Sequence, residues 1–133
     1  MKINTKIRYG LRMLVILAKD STVINTEHLG DIMIVSPKYL RKLAGPLERA
    51  DLIKSVQGKY GGYKLNKDPE NILISDIFDA FDESQKISGC TKESGCVLAS
   101  DCITSNLWKY FEELISKEFF KISLKSIVDG DFK

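Results

Sequence analysis

Cys90, Cys96 and Cys102 are the only cysteines in the chain, and five residues separate each from the next. Three thiolates at this spacing converge on one centre when the loop that carries them wraps around it. Soft thiolate ligands suit an iron–sulfur cluster or zinc. Zinc sites usually show tighter Cys-x₂-Cys pairs, which this chain lacks. A disulfide between two of the three is another reading, and three chemically idle thiols is a fourth. Clustering with Gly89, Gly95 and polar spacers argues against idleness. An odd number of cysteines argues against the disulfide framework of a secreted domain.

The elements around this segment must position it. Residues 84–101 are polar and aperiodic, and they read as a loop between two helical patterns. The first carries Ile77, Phe78 and Phe81 and is capped by Ser75. The second spans Thr104–Phe120, with Trp108, Phe111, Ile115, Phe119 and Ile122 recurring every three or four residues. So wide an aromatic stripe needs a covering surface, either the core of its own subunit or a second copy of the helix.

Upstream, Ile7, Leu11, Leu14, Val15 and Ala18 predict a helix over Asn4–Lys19, capped by Asn4. Thr22–Asn25 reads as extended. Thr26 is the expected cap of a second helix with Leu29, Ile32 and Met33 inward, and the chain turns at Ile34–Val35. Ser36 caps a third helix with Pro37 in its first turn and Leu40, Leu43 and Leu47 buried. Gly45-Pro46 is expected to kink or break that helix, because Pro46 has no amide to return to the Lys42 carbonyl. Strands are expected over Leu52–Val56 and Tyr63–Leu65, joined by the glycine-rich loop Gln57–Gly62, with a third short strand at Ile72–Ile74.

Two short helices, a tight turn and a β-hairpin make a winged helix-turn-helix. The fold class is therefore mainly α with a small β-hairpin wing, followed by a long C-terminal helix. Charge agrees with this assignment. Residues 1–67 hold 13 Lys and Arg against 5 Asp and Glu, a net of +8, while residues 68–133 hold 7 against 13, a net of −6. A basic half beside an acidic half calls for a polyanionic partner, here duplex DNA. Ser36 and the start of the third helix can receive a phosphate. Lys38, Tyr39, Arg41 and Lys42 lie on its first turns. Arg41 can bond bidentately to guanine, and Lys38 and Lys42 can hold phosphates. Gln57, Lys59, Tyr60 and Gly61 are the contacts expected from the wing. His28, the sole histidine, reads as a surface residue near a helix start.

The chain resembles the Rrf-two family of bacterial winged-helix regulators. The resemblance rests on Arg8-Tyr9, Tyr39-Leu40, Val56-Gln57-Gly58 and Gly61-Gly62-Tyr63-Lys64-Leu65. It continues through Asp82-Glu83-Ser84 and the three cysteines to Leu107-Trp108. It implies a homodimer built by the C-terminal helices on a roughly palindromic operator, acting as a repressor. In the sensing branches it also implies an iron–sulfur cluster held by Cys90, Cys96 and Cys102, [2Fe-2S] first and [4Fe-4S] second. The expected organisation is a DNA-binding domain over residues 1–83, a cluster loop over 84–103, and a dimerisation helix with a tail over 104–133.

Departures from the family pattern are specific. Cluster-binding members place a histidine three residues after the third cysteine, where this chain has Ser105. The nitric-oxide-sensing branch uses an aspartate in the first helix, where this chain has Arg8. Asp101, Glu93, Ser105, a partner-subunit side chain or a small molecule are then the options for a fourth ligand. The reading residues also differ, with Arg41 in place of an acidic residue and Gln57 in place of an arginine. The alternative function is a cluster-free repressor of the same family, governed by thiol oxidation or a partner protein. No phosphate loop or hydrolase elbow is present, so an enzyme is not expected. No apolar run approaches the roughly 20 residues that cross a bilayer, so no membrane partner and a cytoplasmic location are expected.

Overall fold

The computed structural model describes residues 2–83, 86, 96–98 and 101–132. Its helices are α1 (Thr5–Lys19), α2 (Thr26–Met33), α3 (Pro37–Arg49), α4 (Ile74–Ala80), α5 (Ile103–Glu118) and α6 (Leu124–Asp129). One antiparallel hairpin, β1 (Ile53–Val56) with β2 (Gly62–Leu65), forms the wing. The architecture is the mainly helical winged fold that the sequence implies.

Caps and turns set the helix-turn-helix. The Asn4 side chain accepts the Lys6 amide at 2.7 Å and starts α1. Asn25, not Thr26, caps α2, accepting the Glu27 and His28 amides at 2.8 and 3.3 Å. Asparagine is at least as good a cap as threonine, so the helix starts one residue earlier than expected. Leu29 and Met33 are buried, whereas Ile32 faces outward. Ile34 then takes a left-handed conformation (φ 57°), uncommon for a β-branched residue, and stands 90 % exposed at the turn. The Val35 amide closes this turn on the Gly30 carbonyl. Ser36 accepts the Tyr39 amide at 3.1 Å, and α3 begins at Pro37.

Pro46 does not interrupt α3, contrary to the sequence expectation. The helix continues to Arg49, and the Ala50 amide bonds back to the Pro46 carbonyl at 3.1 Å. Leu40, Leu43, Ala44 and Leu47 are buried on the inner face and hold the helix across the missing bond, while Gly45 and Pro46 sit half-buried on the outer side.

The wing pairs Ile53 with Leu65 and Val56 with Gly62. A single bridging residue also joins it, from the segment before α2. Ile24 bridges Tyr63, with both amide-to-carbonyl bonds at 3.0 Å. Gly62 (φ 152°) permits that approach, because a Cβ there would lie 2.0 Å from the Ile24 carbonyl oxygen. The expected strand at Ile72–Ile74 pairs instead through Leu73 with Ser123. Helix α4 starts at Ile74 because the Asp76 carboxylate accepts the Leu73 amide at 2.8 Å, so Ser75 is not the cap.

The C-terminal segment returns to the winged domain. Phe120 packs edge-on against Phe78, with ring centroids 5.1 Å apart, and Leu124 at the start of α6 is buried. Helix α6 packs along α1. The aromatic pattern of the sequence therefore divides near Ile115. Beyond it, Phe120, Ile122 and Leu124 join the core, while α5 ends at Glu118 rather than Phe120. Among the described residues, no helix is long and apolar enough to cross a membrane.

Candidate nucleic-acid interface and cysteine site

Helix α3 presents Lys38, Arg41 and Lys42 to solvent because its other face is fixed by leucines. Arg41 also borders an open groove formed with the wing, whose walls include Thr26, Gln57, Lys59 and Gly61. The structure thus gathers residues from α2, α3 and the wing on one side of the molecule. Gln57, Lys59 and Tyr60 are exposed at the wing tip, with the Lys59 ammonium 5.6 Å from the Tyr60 ring centroid. Ser36 is exposed at the start of α3. Tyr39 is placed differently. Its ring lies half-buried and edge-on against Tyr9, with centroids 6.0 Å apart, and so fixes α3 on α1.

Behind the wing, the Tyr63 hydroxyl is shifted upward. Burial is the main cause, the Glu48 carboxylate adds to it, and Arg41 opposes it. Glu48 accepts a hydrogen bond from Ser55 at 2.9 Å, tying the end of α3 to β1. The reading helix and wing are therefore joined by a polar clasp as well as by Leu47, Leu52 and Ile53 in the core.

Two of the three cysteines lie within the described residues. Cys96 is exposed, and its sulfur is 3.5 Å from the Leu98 amide. Cys102 immediately precedes α5. Its thiol is shifted downward. The main cause is the Thr104 hydroxyl 3.0 Å away, and the Ser105 and Thr104 amides at the helix start act in the same direction. Cys90 and Glu93 lie outside the described residues. Among the described residues, no three His, Cys, Asp or Glu side chains gather as a metal site. Ser105 is buried, and its hydroxyl donates to the Cys102 carbonyl at 2.7 Å, securing the first turn of α5.

Helix α5 reverses the usual arrangement. Its buried side chains are polar, Ser105 and Glu112, and Glu112 pairs with Lys86 at 3.7 Å. Ile103, Leu107, Trp108, Tyr110, Phe111 and Leu114 are open to solvent. The sequence signal for this surface was the aromatic spacing. Ile34 and the basic side chains behind α3 were not singled out from the sequence.

A capped helix-turn-helix with a basic reading helix and a hairpin wing defines the winged-helix class of DNA-binding transcriptional regulators. The whole-chain comparison makes the assignment narrower. Residues 3–130 match the family model Rrf2, described as an iron-dependent transcriptional regulator, and the chain belongs to that family. The regulator IscR of Photorhabdus laumondii is 29 % identical over 132 residues, covering 98 % of this chain and 80 % of that protein. Among solved structures, CymR, the global cysteine regulator of B. subtilis, superposes with a TM-score of 0.81 at 27 % identity, covering 98 % of each chain. IscR of T. potens gives a TM-score of 0.73 at 26 % identity, covering 98 % of this chain and 88 % of that one. The oxidised form of Staphylococcus aureus CymR gives 0.72 at 31 % identity, covering 97 % of each. The chain is thus a transcriptional regulator of the Rrf2 family and not an enzyme.

Proposed function

We propose that this chain is a homodimeric repressor that reads a palindromic operator and changes its grip when an iron–sulfur cluster is loaded or lost. The observation that carries the dimer is the apolar face of α5. Six large apolar side chains there face solvent, while the fully buried positions of the helix are polar and only Ile115 among its large apolar residues packs on the core. Pairing two copies of α5 covers that face and sets two copies of α3 apart at a fixed spacing, which is what two half-sites require. Ser36, Lys38, Arg41 and Lys42, with Gln57, Lys59, Tyr60 and Gly61, contact DNA, and Tyr39 orients α3. Such a regulator works in the cytoplasm, on the chromosome. The working division is a DNA-binding unit over residues 1–83, a cluster loop over 84–103 and a dimerisation region over 104–133.

Cys90, Cys96 and Cys102 would hold the cluster, which supplies a redox-sensitive and oxygen-sensitive centre when bound. The donor set fits: three thiols, one of them biased toward thiolate. Cys102 leads directly into α5, so tension at that sulfur is transmitted to the dimer seam. Each ligand state then favours one dimer geometry by its differential affinity. Anaerobic reconstitution with iron and sulfide tests this. A visible absorption band is expected, together with a change in operator affinity that the Cys90, Cys96 and Cys102 triple alanine variant lacks. No band, or identical operator binding by the variant, would sink the cluster reading.

The lowered thiol of Cys102 favours a second reading, in which thiol oxidation without a cluster supplies the signal. Mild peroxide should then give a reversible disulfide that alters DNA affinity in protein that takes up no iron.

A further inference from the structure

We propose that a second basic groove, on the flank of α3 away from the wing, seats a stretch of DNA phosphate backbone beside the operator half-site. The proposal rests on the DNA-binding reading above and extends its contact surface to α1. The groove runs between the start of α1, the second half of α3 and the end of α4, and its volume is about 490 Å³. Lys6, Lys42 and Arg49 are among its lining residues, as is Phe81. All three cations are exposed, and among the described residues none of them is in an ion pair. Lys42 belongs at once to this groove and to the exposed face of the reading helix, so the two basic surfaces are continuous. A phosphate strand leaving the major groove at α3 meets these cations next. A polyanion rather than a small acid is favoured by the form of the site, an open channel edged by separated cations.

Gly45 gives the groove its shape. It sits inside a helix, where glycine is destabilising relative to alanine. The space above it is used, because the Arg49 guanidinium folds back to within 3.3 Å of where a Gly45 Cβ would lie. A methyl at this position would make the Arg49 head give by a few tenths of an ångström. Pro46, the next residue, continues the groove wall without an amide of its own.

One wall of the groove carries an opposing charge. Asp82, in a left-handed conformation (φ 53°), lines it directly after α4. The next residue, Glu83, accepts a hydrogen bond from the Asn4 amide at 2.8 Å, which ties the exit of α4 to the start of α1. The chain then enters the cysteine segment. Phosphate bound here lies beside the strand of protein through which that segment is attached.

The test measures binding of the full dimer to two duplexes as a function of salt. One is the tightest sequence recovered from a randomised duplex pool, and the other is a scrambled version. Lys6→Gln and Arg49→Gln should weaken both duplexes by the same factor, several-fold, and each should reduce the log–log salt slope by about 1 per half-site contact. Asp82→Asn keeps the backbone conformation, since asparagine tolerates the left-handed region, and should tighten both duplexes with a gain that vanishes at high salt. Gly45→Ala should raise thermal stability and leave the salt slopes of both duplexes as in wild type, since Arg49 need move only slightly. Unchanged salt slopes in Lys6→Gln and Arg49→Gln, with wild-type discrimination intact, overturn the groove and leave the DNA-binding reading standing. Equal wild-type binding to both duplexes overturns both. Titration of inorganic pyrophosphate into DNA-free protein gives the remaining outcome. Tight saturation abolished by Lys6→Gln, with duplex binding unaffected, would make the groove a small-anion site instead and overturn the proposal.

Discussion

The winged half of this chain and helix α5 are built from similar apolar fractions but use them in opposite ways. In the winged half, leucines at α3 positions 40, 43 and 47 meet Met13, Leu14 and Leu17 of α1, and the cations are left outside. In α5, serine and glutamate face inward and the aromatics face water. The first region satisfies itself within one chain. The second is complete only when something covers it. In the proposed dimer, stability and responsiveness would thereby be separated: the core that stabilises each reading head would be distinct from the element that spaces the two heads.

Truncation of one leucine in each region gives the sharpest contrast. Leu43 is 1 % exposed within the core, so Leu43→Ala should lower unfolding free energy by about 2–5 kcal/mol, independent of protein concentration. Leu114 is 43 % exposed, so in a single chain its truncation should fall within about 0.5 kcal/mol. In the proposed dimer the cost rises with protein concentration, because association stabilises the wild type by mass action. Urea denaturation at two concentrations distinguishes these outcomes. A concentration-independent loss at Leu114 equal to that at Leu43 would erase the distinction between the regions.

Placing charge on the open face comes next in size. Phe111→Glu puts a carboxylate in the middle of the α5 stripe, and like charges oppose each other across a two-fold seam. Sedimentation should show monomers, and affinity for the two-half-site operator should fall about a hundredfold, near 2.7 kcal/mol. Far-UV circular dichroism should stay as in wild type, since Phe111 is outside the core. A variant that remains dimeric would place the seam elsewhere.

The winged half was legible because its signals are local. Asn4, Ser36 and Pro37 announce helix starts by their own chemistry, and the glycine-rich loop announces a hairpin. Errors fell where two adequate residues compete or where partners are distant. Asn25 outcompetes Thr26 by one position, and Asp76 captures the Leu73 amide that a Ser75 cap would have bypassed. The Ile24 bridge to Tyr63 joins residues 39 apart in sequence, and nothing near either one names the other. Helix α6 was missed because its six residues are too few to show a period. The aromatic stripe revealed that a surface must be covered, but not that Phe120 and Ile122 turn inward while Trp108 and Phe111 do not. For the cysteines, spacing raises the expectation of a shared chemistry, whereas the bias of Cys102 depends on Thr104 and on the start of α5, which only the fold supplies.

That bias is the smallest effect and the most local one. The Thr104 hydroxyl and the amides opening α5 hold the Cys102 thiol below its ordinary value of 9.0. Only the thiolate alkylates, so the iodoacetamide rate at Cys102 should reach half its plateau at a lower pH than for a free low-molecular-weight thiol. Thr104→Val removes the largest contributor and should move that midpoint upward. The sign for folding is the same as for a depressed carboxylate. The thiolate's favourable interaction is fully present above the unfolded-state value and is lost as pH falls through the lowered folded-state value. Denaturation should therefore leave a Cys102 that alkylates like an ordinary thiol. If Thr104→Val leaves the midpoint in place while peptide mapping confirms alkylation at Cys102, the helix start rather than the hydroxyl sets the bias. The cysteine segment would then be tuned by α5 itself, the same element that the proposed dimer shares.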